Sequence, residues 1–211
     1  MPGLSLEIDL WQQGIKLVAG VDEAGRGPLA GPVVAGAVIL PTDISGTEPW
    51  LRGVNDSKRL SESQREKALE SIQRHAIAFA VAQVDHQEID RIGIGNAGVK
   101  AMLDAVAQLS ITPHHLLLDF VHIKECPLPY QTVIKGDSLS FSIAAASIIA
   151  KVTRDRIMKE MDIQFPGYSF AQHKGYPTAQ HLTRLHDLGP CSIHRHSFAP
   201  VRRAAESWGA I

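Results

Sequence analysis

Each of three short apolar runs in this chain ends in an aspartate. The three aspartates are Asp22, Asp119 and Asp137, and Glu23 directly follows the first of them. Because strands brought together at one edge of a sheet share a crevice at their ends, we expect these carboxylates to meet there. Carboxylates that share a crevice repel one another unless a cation lies among them. The pattern therefore predicts an oxygen-ligated Mg²⁺ or Mn²⁺ site that carries out phosphate chemistry.

Each of these acids also has a purely structural explanation. Asp22 and Glu23 are adjacent, and adjacent strand side chains point to opposite faces of a sheet. Both can serve one site only if the strand ends or bends there, and Gly25 and Gly27 would permit such a bend. Asp119 lies in an otherwise apolar run, where a salt bridge to a lysine would satisfy it equally well. The grouping of strand-terminal aspartates favours function over these alternatives.

Asp137 and Asp155 compete for the last place in the cluster. If one helix joins them, a rise of 1.5 Å per residue separates them by ~27 Å, too far for one metal site. We choose Asp137 because it follows a strand, and we expect Asp155 to pair with an arginine or lysine. Asp137 could instead cap the long helix that follows it, because aspartate is a favoured capping residue.

The elements that must position these acids alternate between strands and helices. Residues 16–22 and 33–40 are β-like, and the glycine and proline turn at 25–32 between them predicts a hairpin-type pair. A third strand is predicted at 76–84, a fourth ends at Asp119, and a short one precedes Asp137. Helices are predicted at 61–75, 96–109, 141–163 and 179–188.

This order predicts an α/β fold with a helical C-terminal segment. We expect a single domain over residues 1–211, with the α/β core at 1–163 and a helical basic segment at 164–211. In the long helix, Ile143, Ala146 and Ala150 begin one apolar stripe, with Lys151 and Arg154 largely outside it. The last ten residues, 202–211, could form a short helix or remain disordered.

The composition is that of an ordinary soluble globular protein, with 45% apolar and 20% charged residues. No apolar run approaches the roughly 20 residues of a membrane helix, and the N-terminus lacks the pattern of a secretory signal. Cys126 and Cys191 fit no disulfide framework, so we expect a cytoplasmic protein with no membrane partner.

The charge is distributed unevenly along the chain. Residues 1–150 carry 12 Lys and Arg against 17 Asp and Glu, whereas residues 151–211 carry 9 against 5. A solvated helical surface explains such a difference. A basic wall that holds a polyanion beside an acidic metal site explains it too.

Several motifs occur in an order that resembles ribonuclease HII, the bacterial type 2 ribonuclease H. They are Gly20-Val-Asp-Glu-Ala-Gly-Arg-Gly27 with Pro28-Leu-Ala-Gly-Pro32, Asn55-Asp-Ser-Lys58, Leu118-Asp119, Lys135-Gly-Asp137, Ala145-Ala-Ser-Ile-Ile-Ala-Lys151 with Arg154-Asp155, and His173-Lys-Gly-Tyr-Pro-Thr178. The resemblance implies a ribonuclease H-like mixed sheet flanked by helices, with a C-terminal helical segment. It also implies an endonuclease acting on RNA-DNA hybrids and on single ribonucleotides in duplex DNA, cutting 5′ of the ribonucleotide and leaving 5′-phosphate and 3′-hydroxyl ends.

The resemblance also assigns roles to particular residues. The catalytic acids, which would hold Mn²⁺ or Mg²⁺, are Asp22, Glu23, Asp119 and Asp137. The backbone around the ribonucleotide would contact Gly25, Arg26 and Gly27, and Tyr176 would stack on the sugar at the RNA-DNA junction. Lys58, Lys151 and Lys174 are further candidate phosphate contacts, although exposed lysines are usually only solvated. We expect a monomer.

A dinucleotide-binding fingerprint is a rival interpretation. Gly93-Ile-Gly-Asn-Ala-Gly98 has the required glycine spacing, and Asp119 follows downstream. The first glycine should directly follow a strand. Residues 85–92 instead look like a polar helical turn, so we interpret these glycines as the start of a helix.

Three other functions remain open. Histidines 173, 181, 186, 194 and 196 with Cys191 suggest a zinc site, but their spacing matches no standard pattern, and we expect scattered surface or capping histidines. A histidine-pair ribonuclease would work in EDTA and leave a 2′,3′-cyclic phosphate. A binding module without catalysis would suit the basic C-terminal region and leave the strand-end acids unexplained.

Overall fold

The structure is a computed structural model that describes residues 1–209 of the 211-residue chain. A mixed five-stranded sheet forms its centre, built from β1 (Val18–Ala24), β2 (Val33–Ile39), β3 (Ala78–Val84), β4 (His115–Asp119) and β5 (Tyr130–Val133). The order of the strands in the sheet is β3-β2-β1-β4-β5. The β1-β2 and β2-β3 pairs are antiparallel, whereas β4 runs parallel to both β1 and β5. The predicted mixed sheet and its opening hairpin are confirmed.

Helices flank both faces of the sheet. They are α1 (Ser5–Gln12), α2 (Glu62–His75), α3 (His86–Ile92), α4 (Ile94–Ala107), α5 (Phe141–Gln164), α6 (Phe170–His173), α7 (Ala179–Leu188) and α8 (Ala199–Ser207). Ser61 and Gln64 close a capping box at the start of α2, as their spacing predicts. None of the helices within residues 1–209 is long and apolar enough to cross a membrane.

Some elements differ from the sequence predictions. Helix α1 was not predicted, because it has only eight residues and carries a buried glutamate, Glu7. Helix α8 covers part of the segment 202–211, and the prediction for Ala210 and Ile211 lies outside the described residues. Gly93 caps α4 and follows α3 rather than a strand, which agrees with the helix-start interpretation and not with a dinucleotide site.

Helix α5 lies unusually close to the centre of the sheet. A Cβ added to Gly20 of β1 would overlap the backbone of Ser142, and one added to Gly36 of β2 would overlap the carbonyl of Ala146. Glycine at these two positions therefore allows the helix backbone to approach the strands. The apolar core on this face of the sheet is built from β1, β2, α1, α2 and α5, and α4 covers the other face.

The expected single apolar stripe on α5 is wrong for part of the helix. Every residue from Phe141 to Ala150 is buried, and Arg154, expected largely outside the stripe, is 0% exposed. The reason is tertiary. The sheet packs against one side of α5, and the 25–32 loop with the C-terminal segment covers Arg154.

The C-terminal segment pairs with the 25–32 loop through its backbone. Leu29 N donates to Gly175 O at 2.8 Å, and Leu29 O accepts from Arg195 N at 2.8 Å. Gly31 N donates to Ile193 O at 2.9 Å. A small apolar cluster that includes Met158 and Phe170 fills the space between them. The glycine-rich loop therefore depends on residues near the end of the chain.

Candidate active site

The strand register brings Asp22 beside Asp119. The last pair between β1 and β4 joins Val21 to Leu118, so the two aspartates are the next residues along adjacent parallel strands. Asp119 Oδ1 then accepts a hydrogen bond from Gly136 N at 2.7 Å, which ties β4 to the 3-10 turn that carries Asp137. One carboxylate oxygen from each of the three aspartates lies within 4.8 Å of the others.

The prediction that β1 ends or bends at Glu23 is wrong. The strand continues to Ala24, and its pairing with β2 stays regular through Glu23 and Ala35. Pairing with β4 stops at Val21, so one edge of β1 is open beside the two acids. Glu23 lines the same cavity as Asp22 while remaining outside the group of three aspartates. The open edge of β1, rather than a bend in the strand, therefore lets both Asp22 and Glu23 line the cavity.

Burial and mutual repulsion raise the pKa of Asp22, Glu23 and Asp119. Burial raises the pKa of Asp22 well above its ordinary value, and the charges of Glu23 and Asp119 raise it further. Burial is also the main cause of the raised pKa of Glu23 and of Asp119. Glu23 Oε2 is buried and has no hydrogen-bond partner within residues 1–209.

These features fit a hard divalent cation. All the donors are carboxylate oxygens, which Mg²⁺ and Mn²⁺ prefer. A cation among them would offset the repulsion that helps to raise the pKa of Asp22, Glu23 and Asp119. Lys58 forms a salt bridge with Asp137, with 3.3 Å between Nζ and Oδ2. This salt bridge is weak, because the Lys58 side chain is 76% exposed. A metal ion could therefore bind without breaking a buried salt bridge.

Most of the predicted substrate-binding residues share one cavity of about 260 Å³ with Asp22, Glu23 and Asp119, whereas Asp137 does not line it. They are Gly25, Arg26, Gly27, Lys58, Lys151 and Tyr176. A Cβ on Gly27 would lie 3.8 Å from Cε1 of Tyr176, so this glycine faces the tyrosine ring. The structure does not bring Lys174 into the cavity, because its ammonium group donates to the carbonyl of Ala171.

Asp155 has the partners that were expected of it. Its carboxylate lies 2.7 Å from Lys151 Nζ and 3.4 Å from Arg65 Nη2. Lys151 is held in this way 5.6 Å from the centre of the Tyr176 ring. The ion pair therefore places an ammonium group at the edge of the cavity.

Two buried arginines that the sequence analysis did not select hold the glycine loop. Arg195 donates to the carbonyls of Gly25 at 2.7 Å, Arg26 at 3.2 Å and Gly31 at 2.9 Å. Arg154 donates to the carbonyls of Ala30, Pro32 and Lys174. Burial lowers the pKa of Arg154 to about 10 and that of Arg195 to about 9, so both remain charged at neutral pH.

The sequence offered one signal for these arginines. In a loop with several glycines and prolines, many backbone carbonyls accept no hydrogen bond from a neighbouring strand or helix turn. Such carbonyls need other donors when they are buried. Because guanidinium presents five donors, one arginine can satisfy several of them. Neither arginine forms an ion pair with a carboxylate in the described part of the chain.

The expectation of scattered surface or capping histidines is wrong for three of the five. His173, His181 and His194 are buried and contact one another. They meet because the aromatic cluster of the C-terminal segment, which includes Tyr168 and Phe170, collects side chains from three different stretches of chain. Within residues 1–209, the aspartates form the one group of three or more residues with metal-binding geometry, so no zinc site is found among them.

The family model for ribonuclease HII matches residues 19–201. The chain belongs to the ribonuclease HII family. A ribonuclease HII from Myxococcus xanthus strain DK1622 is 52% identical over 202 residues, which are 95% of this chain and 67% of that protein. A ribonuclease HII from Geobacter sp. strain M21 is 54% identical over 199 residues, covering 94% of this chain and 84% of that protein.

Solved structures support the same family and fold. The ribonuclease H2 from Pyrococcus horikoshii OT3 has a TM-score of 0.76 and 27% identity, covering 92% of this chain and 99% of that one. Bst-RNase HIII in complex with Mn²⁺ has a TM-score of 0.63 at 18% identity, covering 95% of this chain and 73% of that one, and shows the fold alone. Membership of the ribonuclease HII family makes this chain an endonuclease of the ribonuclease H type.

Proposed function

We propose that this chain hydrolyses the RNA strand of RNA-DNA hybrids and cuts on the 5′ side of single ribonucleotides in duplex DNA. The products would be 5′-phosphate and 3′-hydroxyl ends. The observation that carries this proposal is the meeting of three carboxylates within 4.8 Å beside a glycine-rich loop. Such a site combines a place for cations with backbone groups that can approach a nucleic acid closely.

Asp22, Asp119 and Asp137 would hold Mn²⁺ or Mg²⁺, with Glu23 beside them. When bound, such ions activate water and stabilise charge on the leaving oxygen. The unpartnered Oε2 of Glu23 is available to accept a hydrogen bond from water or from a ligand of the metal. Arg26 Nη1 donates to the other oxygen, Oε1, at 3.2 Å and so orients this carboxylate.

The glycine-arginine-glycine element would bind the backbone of the ribonucleotide. The backbone amides of Arg26 and Gly27 donate to no other group within residues 1–209. Their neighbouring carbonyls are occupied by Arg195, which fixes the loop. Free amides on a fixed loop are suitable donors to phosphate or to the 2′-hydroxyl that distinguishes RNA from DNA.

Tyr176 would stack on the sugar at the RNA-DNA junction. Its ring is partly exposed in the cavity, opposite Gly27 and beside Lys151. Lys58 and Lys151 would contact phosphates, whereas Lys174 would meet substrate only outside the cavity. This arrangement offers a ring surface for the sugar and positive charge for the neighbouring phosphates.

Digestion of matched duplexes tests the proposal. The substrates are all-DNA, RNA-DNA and single-ribonucleotide duplexes, each with Mg²⁺, Mn²⁺ or EDTA. We expect cleavage of the two ribonucleotide-containing duplexes with metal, 5′-phosphate products and no cleavage in EDTA. Cleavage in EDTA with a 2′,3′-cyclic phosphate would favour the histidine-pair mechanism, and equal cutting of all-DNA would refute the proposed substrate.

A further inference from the structure

Histidine side chains of the C-terminal segment form a buried hydrogen-bonded chain that ends on the backbone of Tyr176. His181 Nδ1 lies 3.0 Å from the carbonyl oxygen of Tyr176. His181 Nε2 lies 3.1 Å from His194 Nε2, and His194 Nδ1 lies 3.0 Å from the backbone nitrogen of Cys191. Both rings are 0% exposed, so water does not substitute for these contacts.

The carbonyl of Tyr176 fixes the direction of every hydrogen bond in this chain. Because a carbonyl oxygen only accepts, His181 Nδ1 must donate to it, and Nε2 of a neutral His181 must then accept. His194 Nε2 is therefore the donor between the two rings, which leaves its Nδ1 to accept from Cys191 N. The opposite tautomers would pair His194 Nδ1 with Cys191 O at the longer distance of 3.3 Å and leave Tyr176 O facing a ring lone pair.

His173 supports the same backbone from the other side. Its Nε2 donates to Tyr168 O at 2.8 Å, so its Nδ1 accepts from Gly175 N at 3.1 Å. Its carbonyl accepts from Tyr176 N at 2.9 Å. The ring also stacks on His181, with centroids 4.4 Å apart and planes inclined by 13°. Both backbone groups of Tyr176 are thus bonded to histidines.

We propose that His181 and His194 are positioning residues that set the place of Tyr176 in the cavity and thereby the discrimination of the ribonucleotide junction. This inference rests on the proposed role of Tyr176. The Tyr176 side chain lies over Lys151 and Arg154, at 5.6 and 5.7 Å from the ring centre. A rotated peptide at residue 176 would move the ring away from these cations and from Gly27.

The local turn should survive the loss of the histidine contact. Tyr176 O also accepts from Thr178 N at 2.8 Å, and the backbone nitrogen of His181 is capped by the Thr178 side chain at 3.2 Å. Neither bond uses the imidazole. Substitution of the ring therefore removes one restraint on residue 176 while the start of α7 keeps its cap.

Substitution by asparagine or glutamine distinguishes the roles of the two ring nitrogens of a histidine. The asparagine amide can replace Nδ1, and the longer glutamine amide can replace Nε2. At His181 the required donor is Nδ1, so His181→Asn should keep the junction activity that His181→Gln loses. At His194 the donor to its neighbour is Nε2, so His194→Gln should keep the activity that His194→Asn loses. The reversed preference at the two positions reports the direction of each hydrogen bond, whereas a comparison of two substrates separates positioning from a general loss of stability.

The test compares kcat and KM of the full chain on a single-ribonucleotide duplex and on a long RNA-DNA hybrid. We expect His181→Gln and His194→Asn to lower junction cleavage about 10-fold or more relative to hybrid cleavage, because small misplacements cost large factors in rate. His186→Gln on the same helix is the control, since this exposed histidine lies outside the chain of hydrogen bonds. Melting temperatures of all variants are measured beside the rates.

Two results would overturn the inference. One is an equal loss on both substrates that follows the melting temperature, and the other is the same effect of Asn and Gln at both positions. Tyr176→Ala is measured in parallel. If Tyr176→Ala spares junction cleavage, the proposed role of Tyr176 fails. If Tyr176→Ala impairs junction cleavage selectively and the histidine variants do not, only the positioning role fails.

Discussion

The Asp119 carboxylate belongs to the candidate metal-binding group and also contacts the turn that carries Asp137. Its Oδ1 accepts from Gly136 N, and its charge raises the pKa of Asp22. Removal of that charge without a change of shape therefore separates the two roles. An asparagine oxygen can still accept from Gly136 N, but an amide is a poorer ligand for Mg²⁺ or Mn²⁺.

We expect Asp119→Asn to fold and to lose cleavage by a factor on the order of 10³ or more, as for other groups that act on the transition state. In metal-free buffer its melting temperature should not fall, because the repulsion of Asp22 is relieved. Single-turnover cleavage and thermal unfolding measure the two effects. Asp104→Asn, on the exposed side of α4, is the control. Near-normal cleavage by Asp119→Asn with either metal would refute the assignment.

Tyr176 offers a second test on a single residue. Because its ring is proposed to act on the sugar at the junction, Tyr176→Ala should impair cleavage of a single-ribonucleotide duplex more than binding of that duplex. We expect a loss of about 10-fold or more in kcat, because a misplaced reacting group costs large factors in rate. The change in Kd should be less than about 3-fold, because phosphate contacts supply most of the affinity for a duplex. Kd is measured in Ca²⁺ by fluorescence anisotropy. Equal losses in both quantities would contradict the discriminating role.

Among the elements, α1 stabilises the start of α5, which its sequence alone does not indicate. Its buried Glu7 accepts hydrogen bonds at the start of α5 from Ser140 Oγ at 2.6 Å, Ser142 Oγ at 2.7 Å and Ser142 N at 3.0 Å. The carboxylate therefore caps the positive end of a 24-residue helix. Asp137 lies in the turn just before this helix, so α1 helps to hold an acid of the candidate site.

Glu7→Ala should lower the free energy of unfolding by about 2–3 kcal/mol, because three buried donors lose a charged acceptor. Urea denaturation measures the loss. Asp9→Ala in the same helix is the matched control and should change the stability by less than about 0.5 kcal/mol, as is usual for exposed positions. Equal effects of the two substitutions would mean that the contacts of Glu7 contribute no net stability.

An element can be predicted from the sequence when the residues that determine it lie close together along the chain. Ser61 and Gln64 act within one turn, so the start of α2 could be predicted. The extension of β1 beyond Asp22 depends on β2, and the burial of Arg154 depends on a loop 122 residues away. The approach of the three aspartates could be expected from strand order, whereas the histidine chain could not, because its members belong to different turns.

For the whole molecule, the buried histidines link stability to pH. Burial lowers the pKa of His181 to about 4 and that of His194 to about 3, against about 6.5 in an unfolded chain. Between these values the unfolded state binds more protons, so stability falls as the pH decreases from about 6.5 toward 4. Each histidine contributes a slope on the order of 1 kcal/mol per pH unit.

The double variant His181→Asn, His194→Gln should remove this slope. The raised pKa values of the acids also affect the pH dependence, but they are common to both proteins, so the difference in unfolding free energy isolates the histidines. We expect the wild type to lose stability relative to the variant as the pH falls from 6.5 to 4.5, measured by urea denaturation without metal. A constant difference over that range would contradict the buried neutral rings.

The bonds of Arg195 to the glycine loop impose an order on biosynthesis. The Gly25 carbonyl receives its donor from a residue 170 positions later, so the loop can complete these contacts only after Arg195 has left the ribosome. A nascent chain that carries the acids of the candidate site but not yet Arg195 therefore lacks the donor that fixes the loop beside them. The proposed selection of ribonucleotides therefore requires synthesis to have passed Arg195, well after all the acids of the candidate site.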